Sequence, residues 1–164
     1  MTDGMPSPFN SAMETGVRML AILIACYPKA HDLGRLVQYD YLTVHSADAE
    51  GPPSLHPPLP LRSGELLVRR GLIESGLRLM MSRSLVRRKL DVQGFIYSAD
   101  DAAASFLDNM KSSYIVALRD RAAWVAATFD ALSADELDSI VRRLFESWTI
   151  EFQPGQSGPL AELL

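Results

Sequence analysis

The chain has 164 residues, of which 48% are hydrophobic and 22% charged, and its formal net charge is −4. That length suits one domain with a genuine hydrophobic core, and the composition argues against an intrinsically disordered chain. A single cysteine excludes an internal disulfide framework, and no basic signal-peptide region opens the sequence, so we expect a cytoplasmic protein.

The first predicted helix spans residues 11–26. Ser11 and Glu14 have the spacing of a capping box, in which each side chain bonds a backbone N–H group of the other residue. Apolar residues surround most of the helix, and Tyr27-Pro28 ends it because proline disfavours helical geometry in the residue before it. The apolar run from Met19 to Cys26 is far shorter than the roughly 20 residues of a membrane span. We therefore expect a central buried helix and no membrane contact.

A second helix is predicted over residues 32–46, with Asp32 as its N-cap and an apolar stripe facing the first helix. Residues 47–61 then form a long connection that is rich in proline, which leaves little room for a helix or a central strand. Its prolines are Pro52, Pro53, Pro57, Pro58 and Pro60. Because this segment has no periodic pattern of its own, we expect the surface that it crosses to hold it in place.

A third helix over residues 64–82 and a β-hairpin over residues 85–97 form the middle of the chain. Helical spacing of apolar residues predicts the helix, and Gly94 supplies the positive φ that a tight hairpin loop often needs. Gly71 and Gly76 lie inside the helix, where each costs about 1 kcal/mol relative to alanine. They indicate close approach of another backbone or the end of a shorter helix. Three helices followed by a hairpin are typical of a winged-helix module.

The remainder of the chain is predicted to be helical up to about residue 150. We therefore predict a mainly α-helical fold in a single domain, residues 1–152. It contains a winged-helix-like core at 9–98 with a small β-hairpin, and a C-terminal helical extension at 99–152. Residues 153–164 are rich in Gly, Pro, Ser and Gln and are expected to form a flexible tail.

Positive charge is concentrated in the third helix and the hairpin. Residues 62–89 contain eight Lys/Arg and two Asp/Glu, against three and six in residues 1–61 and five and twelve in residues 90–164. Strand alternation places Arg88 on one hairpin face and Arg87 with Lys89 on the other. The alternatives to a binding surface are a patch neutralised within the protein, an ion-pair row along the helix, and an edge strand whose charges prevent aggregation. The candidate contact residues for DNA or an acidic partner are Arg69, Arg70, Arg78, Arg83, Arg87, Arg88 and Lys89.

The sequence lacks the phosphate-binding loop, the dinucleotide fingerprint and the zinc-protease motif of common enzymes. His31, His45 and His56 lie far apart and have no cysteine cluster beside them, so no metal site is expected. Asp40 and His45 could be combined with a serine into a hydrolase triad, but we expect this pair to serve helix-end hydrogen bonds. The sequence therefore predicts a protein without catalytic, cofactor or metal residues, and a small hydrolase is the least favoured alternative.

Four segments carry a more specific pattern. They are Asn10-Ser11-Ala12-Met13-Glu14, Asp40-Tyr41-Leu42 with Val44-His45-Ser46, Gly51-Pro52-Pro53-Ser54-Leu55-His56-Pro57, and Arg62-Ser63-Gly64-Glu65-Leu66-Leu67-Val68-Arg69-Arg70. Together they resemble the middle component 2 of bacterial ABC-three-component systems, which overlap the Lamassu-type defence operons. The resemblance covers roughly residues 8 to 150. Ser84 departs from it, because a glycine is expected there between the third helix and the first hairpin strand.

The resemblance implies a non-enzymatic subunit that joins an SMC-like ABC ATPase and an effector protein, with a nuclease among the candidate effectors, in an antiphage or antiplasmid complex. Such a subunit would brace the ATPase or hold the effector inactive until DNA is sensed, by direct contact with double-stranded DNA or through the complex. The apolar helical faces and the segment Ser54-Leu55-His56-Pro57 are the expected partner surfaces. The alternative is a free-standing winged-helix transcription regulator that binds DNA with the basic helix and hairpin.

Overall fold

The computed structural model describes residues 11–58 and 65–151, which form six α-helices and a three-stranded antiparallel sheet. In chain order the elements are α1 (Ala12–Cys26), β1 (His31–Asp32), α2 (Leu33–Val44), a 3₁₀ turn (Ser46–Ala49), α3 (Glu65–Ser82), β2 (Val86–Asp91), β3 (Gly94–Ala99), α4 (Ala103–Asp108), α5 (Ser113–Phe129) and α6 (Ala134–Glu151). The predicted mainly α fold with a small hairpin is confirmed. The predicted flexible tail at 153–164 lies outside the described residues.

Capping side chains fix the starts of the first two helices. The backbone N–H of Glu14 donates to Ser11 Oγ at 3.1 Å, and the backbone N–H of Arg35 donates to Asp32 Oδ1 at 2.8 Å. Both N-cap residues agree with the sequence prediction, since a side-chain oxygen satisfies an N–H group that has no partner within the helix. The return bond of the predicted capping box is not observed among the described residues, where Glu14 Oε2 has no hydrogen-bond partner. α1 ends directly before Tyr27-Pro28, as predicted.

α1 packs against α2, α3, α4 and α5, and its residues Met19 and Leu20 are fully buried. This confirms the predicted central helix. α1 and α3 approach closely at two glycines, because a Cβ atom added to Gly76 would lie 2.7 Å from the backbone nitrogen of Gly16. The prediction of close approach is therefore confirmed at Gly76 and wrong at Gly71, where a Cβ would meet no atom within 4 Å. None of the described helices is both long and apolar enough to cross a membrane.

The three strands lie in the order β1-β3-β2. In the β2–β3 hairpin, Arg88 lies opposite Tyr97 and Lys89 lies opposite Ile96. Tyr97 is buried in the core, so Arg88 starts from the face that meets the helices and Lys89 from the other face, as the alternation predicts. The sequence does not predict β1, because a strand of two residues has no periodicity and its partner β3 lies far along the chain.

A tight turn connects α3 to β2. Ser84 in this turn has a φ of 60°, which lies in the left-handed region that glycine adopts most readily. This is the position where the resemblance leads us to expect glycine. The turn keeps its left-handed conformation although serine replaces glycine, at a cost of roughly 1 kcal/mol.

Candidate functional site

A carboxylate and two arginines meet in the middle of the helical core. Nε of Arg18, on α1, donates to Oδ1 of Asp40, on α2, at 2.7 Å. Nη1 of Arg69, on α3, donates to Oδ2 of the same carboxylate. Asp40 is 0% exposed, Arg18 1% and Arg69 5%. One charged group from each of three helices therefore meets at a single buried point, which we call the ionic centre.

The two arginines determine the charge of the ionic centre. Burial by itself raises the pKa of a carboxyl group, but Arg18 and Arg69 outweigh burial and lower the pKa of Asp40 to about 2. Asp40 is therefore ionised at neutral pH. Removing one member of such a group would leave a buried charge without compensation. The ionic centre thereby fixes the relative positions of α1, α2 and α3.

Two expectations about these residues were wrong. Asp40 does not serve helix-end hydrogen bonds, because its carboxylate bonds across the core to two other helices. Arg69 is buried and so does not belong to an exposed basic surface. Arg18 was missed, although a single arginine within an otherwise apolar helix indicates a buried carboxylate partner. The sequence did not reveal that partner, which lies 22 residues further along the chain.

Histidine and tyrosine rings lie beside the ionic centre. The rings of His56 and Tyr114 stack with their centroids 6.1 Å apart, and His56 Nε2 lies 2.8 Å from the Tyr114 hydroxyl oxygen. The ring of His45 meets His56 nearly at right angles. Burial, together with the positive charge of Arg18, lowers the pKa of His56 to about 4. His56 is therefore neutral at pH 7 and acts as an aromatic and hydrogen-bonding contact.

The described part of the proline-rich connection, residues 47–58, is held by hydrogen bonds. The backbone N–H groups of Leu55 and His56 donate to the carbonyl oxygen of Val44 at 3.0 and 3.1 Å. From α5, Arg121 Nε donates to the carbonyl oxygen of Pro53 at 2.9 Å. The segment therefore crosses the end of α2 and is fixed there by neighbouring surfaces, as expected from its lack of periodic pattern.

Three residues of the segment Ser54-Leu55-His56-Pro57 contact other parts of the chain. Ser54 Oγ accepts a hydrogen bond from the backbone N–H of Ala47 at 3.1 Å, and Leu55 packs against the hydrophobic core. His56 stacks on Tyr114, whereas Pro57 is exposed. Of the four residues predicted to face a partner, Pro57 is the one that lies openly at the surface.

A second polar cluster joins the end of α5 to the first half of the chain. Asp130 Oδ1 lies 2.7 Å from His31 Nε2 and accepts a hydrogen bond from the Tyr39 hydroxyl at 2.8 Å, while Lys29 Nζ donates to the Asp130 carbonyl oxygen at 3.0 Å. Cys26, His31 and Asp130 offer donor atoms within 4.8 Å of one another, a set that could hold a metal ion. Burial and the Asp130 carboxylate raise the pKa of the Cys26 thiol to about 12. The observed contacts assign the cluster to packing.

Three predicted contact residues meet around an open groove of about 550 Å³. Arg70 and Arg78 reach it from α3, and Arg88 reaches it from β2. The Arg88 guanidinium carbon lies 4.2 Å from the ring centroid of Phe95, which orients this side chain. Asp32 and Glu74 also line the groove, so the arginines are the majority among its charged residues. We call this site the basic groove.

Two of the predicted contact residues form surface ion pairs. Arg70 Nε lies 3.9 Å from Glu74 Oε1, and Arg87 Nη2 lies 2.9 Å from Asp100 Oδ1. The expected ion-pair row along α3 is thus present between Arg70 and Glu74. Within the described part of the chain, four members of the predicted set have no carboxylate partner. They are Arg78, Arg83, Arg88 and Lys89.

Comparison with known families identifies the chain. Residues 8–151 match the family described as ABC-three component (ABC-3C) system Middle Component 2. The chain belongs to this family. It is therefore a middle component of a multi-component system and has protein partners. No curated protein and no solved structure matches it.

Three of the four segments that resemble middle component 2 contribute residues to the ionic centre or to the rings beside it. Asp40 supplies its carboxylate, Arg69 one of its guanidinium groups, and His45 with His56 the adjacent rings. These residues lie far apart in the sequence, and their shared property is their location around one buried carboxylate. They therefore belong to the scaffold of the fold, whereas Leu67 and Val68 of the same pattern are exposed. The basic groove combines Arg70, which belongs to one of those segments, with Arg78 and Arg88, which lie outside them.

Proposed function

We propose that this middle component 2 is a non-enzymatic adaptor in a Lamassu-type antiphage or antiplasmid complex of the cytoplasm. It would join an SMC-like ABC ATPase to an effector, for which a nuclease is one candidate. The observation that carries the proposal is the family match over residues 8–151. The chemistry of the described residues is consistent with a role other than catalysis. The pKa of Cys26 is raised to about 12, that of His56 is lowered to about 4, and Asp40 is bonded to two arginines.

The adaptor would also contact double-stranded DNA at the basic groove. Guanidinium groups bind phosphate oxygens through charge-assisted hydrogen bonds, and such contacts position a protein on the duplex without reading its sequence. Arg78 and Arg88 have no carboxylate partner among the described residues, so phosphate would not have to displace one. A subunit that senses DNA in this way would hold the effector inactive until the ATPase engages DNA.

A winged-helix transcription regulator is the second candidate. Its supporting observation is the order helix, strand, two helices and two strands, with the sheet order β1-β3-β2. A helix that reads the major groove places polar side chains on base edges. α3 instead exposes Leu67 at 78% and Val68 at 65%, which favours a protein partner for this end of the helix. We therefore prefer the adaptor.

Size-exclusion chromatography with light scattering, on the chain alone and co-expressed with the other components of its system, separates the two candidates. The adaptor should co-elute with the ATPase at a fixed ratio and bind little DNA alone. A dimer that ignores the other components and binds duplex DNA by itself would establish the regulator instead.

The DNA contact has its own test within the complex. R78A/R88A should weaken duplex binding and lower the slope of log affinity against log salt by about 2, since each lost phosphate contact removes about 0.9. R142A/R143A removes the same charge from the exposed face of α6 and is the matched control. Equal losses in both variants would mean that net charge, and not the basic groove, attracts DNA.

A further inference from the structure

Among the described residues, no strand pairs with the outer edge of β2. β2 lies at one end of the sheet, and its only strand neighbour among the described residues is β3. The backbone N–H of Asp100 donates to the carbonyl oxygen of Leu85 at 3.0 Å. Hydrogen-bonded pairs alternate along an antiparallel ladder, so the register places the backbone groups of Arg87 and Lys89 towards β3. The N–H and C=O groups of Arg88 and Leu90 then point to the open edge.

The side chains along this edge combine positive charge with apolar surface. Arg87 and Lys89 lie on the face turned away from the helices, and Lys89 has no carboxylate partner in the described part of the chain. At the hairpin tip, Leu90 is 75% exposed and Val92 is 101% exposed. Charges on an edge strand commonly prevent unwanted pairing, but that role does not account for exposed apolar residues next to them.

The positive charges of β2 indicate which kind of molecule can bind along its outer edge. A second copy of β2 pairing antiparallel in a central register would bring Arg88 opposite its own copy with Arg87 opposite Lys89, or Lys89 opposite its own copy, and such like-charge pairs are destabilising. Nucleic acid has no peptide groups to continue the ladder. An extended peptide with carboxylates satisfies the basic side chains, and its backbone satisfies the open N–H and C=O groups.

We infer that the outer edge of β2 receives an extended acidic segment of a partner protein as a fourth strand. Carboxylates on one face of that segment lie beside Arg87 and Lys89, and apolar side chains contact Leu90 and Val92. The inference deepens the proposed function and rests on it for the identity of the partner, another component of the same system. It places that partner on the hairpin edge, whereas DNA occupies the basic groove.

Two substitutions of Leu90 separate backbone pairing from side-chain contact. L90P removes the outward N–H group while leaving the β3 side of the ladder intact, and L90S removes the apolar side chain but keeps that N–H. We expect L90P to weaken the complex with the ATPase and effector components roughly fivefold more than L90S does, the value of one hydrogen bond. Equal affinities of the two variants would contradict strand addition.

Charge reversal provides a variant that preserves the backbone. K89E should weaken the complex roughly tenfold, since it places a carboxylate against the acidic segment. K111E makes the same change at an exposed lysine between α4 and α5 and is the matched control. An affinity for K89E equal to that of K111E would overturn the inference.

Peptide titration of the full chain, followed by NMR, tests the β2 edge without the other components of the system. A ten-residue peptide of alternating glutamate and valine should shift the amide resonances of residues 86–90, and a lysine–valine peptide should not. Binding of the acidic peptide without a complex with the other components would support the edge site and refute the proposed function. A complex that forms normally, with neither peptide shifting the hairpin resonances, would refute the edge site alone.

Discussion

The ionic centre and the hairpin use the same kind of charged residue for opposite purposes. Arg18 and Arg69 are at most 5% exposed and share one carboxylate, so their charges hold three helices together. Arg88 and Lys89 are exposed and have no carboxylate partner in the described part of the chain. Buried, paired arginines therefore belong to the scaffold of the fold, while exposed basic residues next to it are available to other molecules.

The largest loss of stability is expected when the ionic centre is disrupted. D40N would leave the charges of Arg18 and Arg69 without compensation, and we expect it to lower the free energy of unfolding by about 3–5 kcal/mol. Urea denaturation followed by circular dichroism measures the change. D120N alters an exposed aspartate of α5 and should stay within about 0.5 kcal/mol. Equal stability of D40N and the unmodified chain would show that the ionic centre does not hold the core.

Sequence reasoning predicted the parts of the fold that local chemistry determines. Ser11 and Asp32 cap their helices because each bonds a backbone group three residues away, and Gly94 adopts a φ of 125° in the hairpin loop. The ionic centre was not predicted, because Asp40 bonds residues 22 and 29 positions away. Which arginine is buried depends on how the helices pack, and periodicity within one helix does not contain that information.

The two glycines of α3 differ in their packing, and we expect alanine to have opposite effects on stability at the two positions. G76A should destabilise the chain by about 1–3 kcal/mol, because its Cβ would meet the backbone of α1 at Gly16. G71A has open space and should stabilise the chain by up to about 1 kcal/mol, the difference in helix propensity. Thermal unfolding of both variants measures the contrast. Equal effects of the two variants would contradict the close approach of α1 and α3.

The pH dependence of stability tests the rings beside the ionic centre. His56 has a pKa of about 4 in the folded chain and an ordinary value of 6.5, so the unfolded chain binds more protons between these pH values. Its contribution is present above pH 6.5 and is lost as the pH falls towards 4. Because His56 is only half-buried, we expect a loss of about 2 kcal/mol, less than its full pKa shift implies. H56Q should flatten this part of the profile in urea titrations, and an unchanged profile would contradict the assignment.

The smallest loss of stability is expected when an exposed ion pair of the hairpin is broken. R87A breaks the surface pair with Asp100, which should cost about 0–1 kcal/mol and less still in high salt. Urea denaturation at two salt concentrations measures it, with Q93A in the hairpin loop as the neutral reference. A loss as large as that of D40N would remove the distinction between buried and exposed charges.

Hydrogen–deuterium exchange of the chain, alone and bound to the other components, shows whether a partner binds the hairpin and leaves the ionic centre unchanged. We expect binding to protect the hairpin, residues 85–97, while amides around the ionic centre on α2 exchange equally slowly in both states. Protection that appears elsewhere and leaves the hairpin unchanged would contradict the division into a buried scaffold and an exposed hairpin that receives the partner.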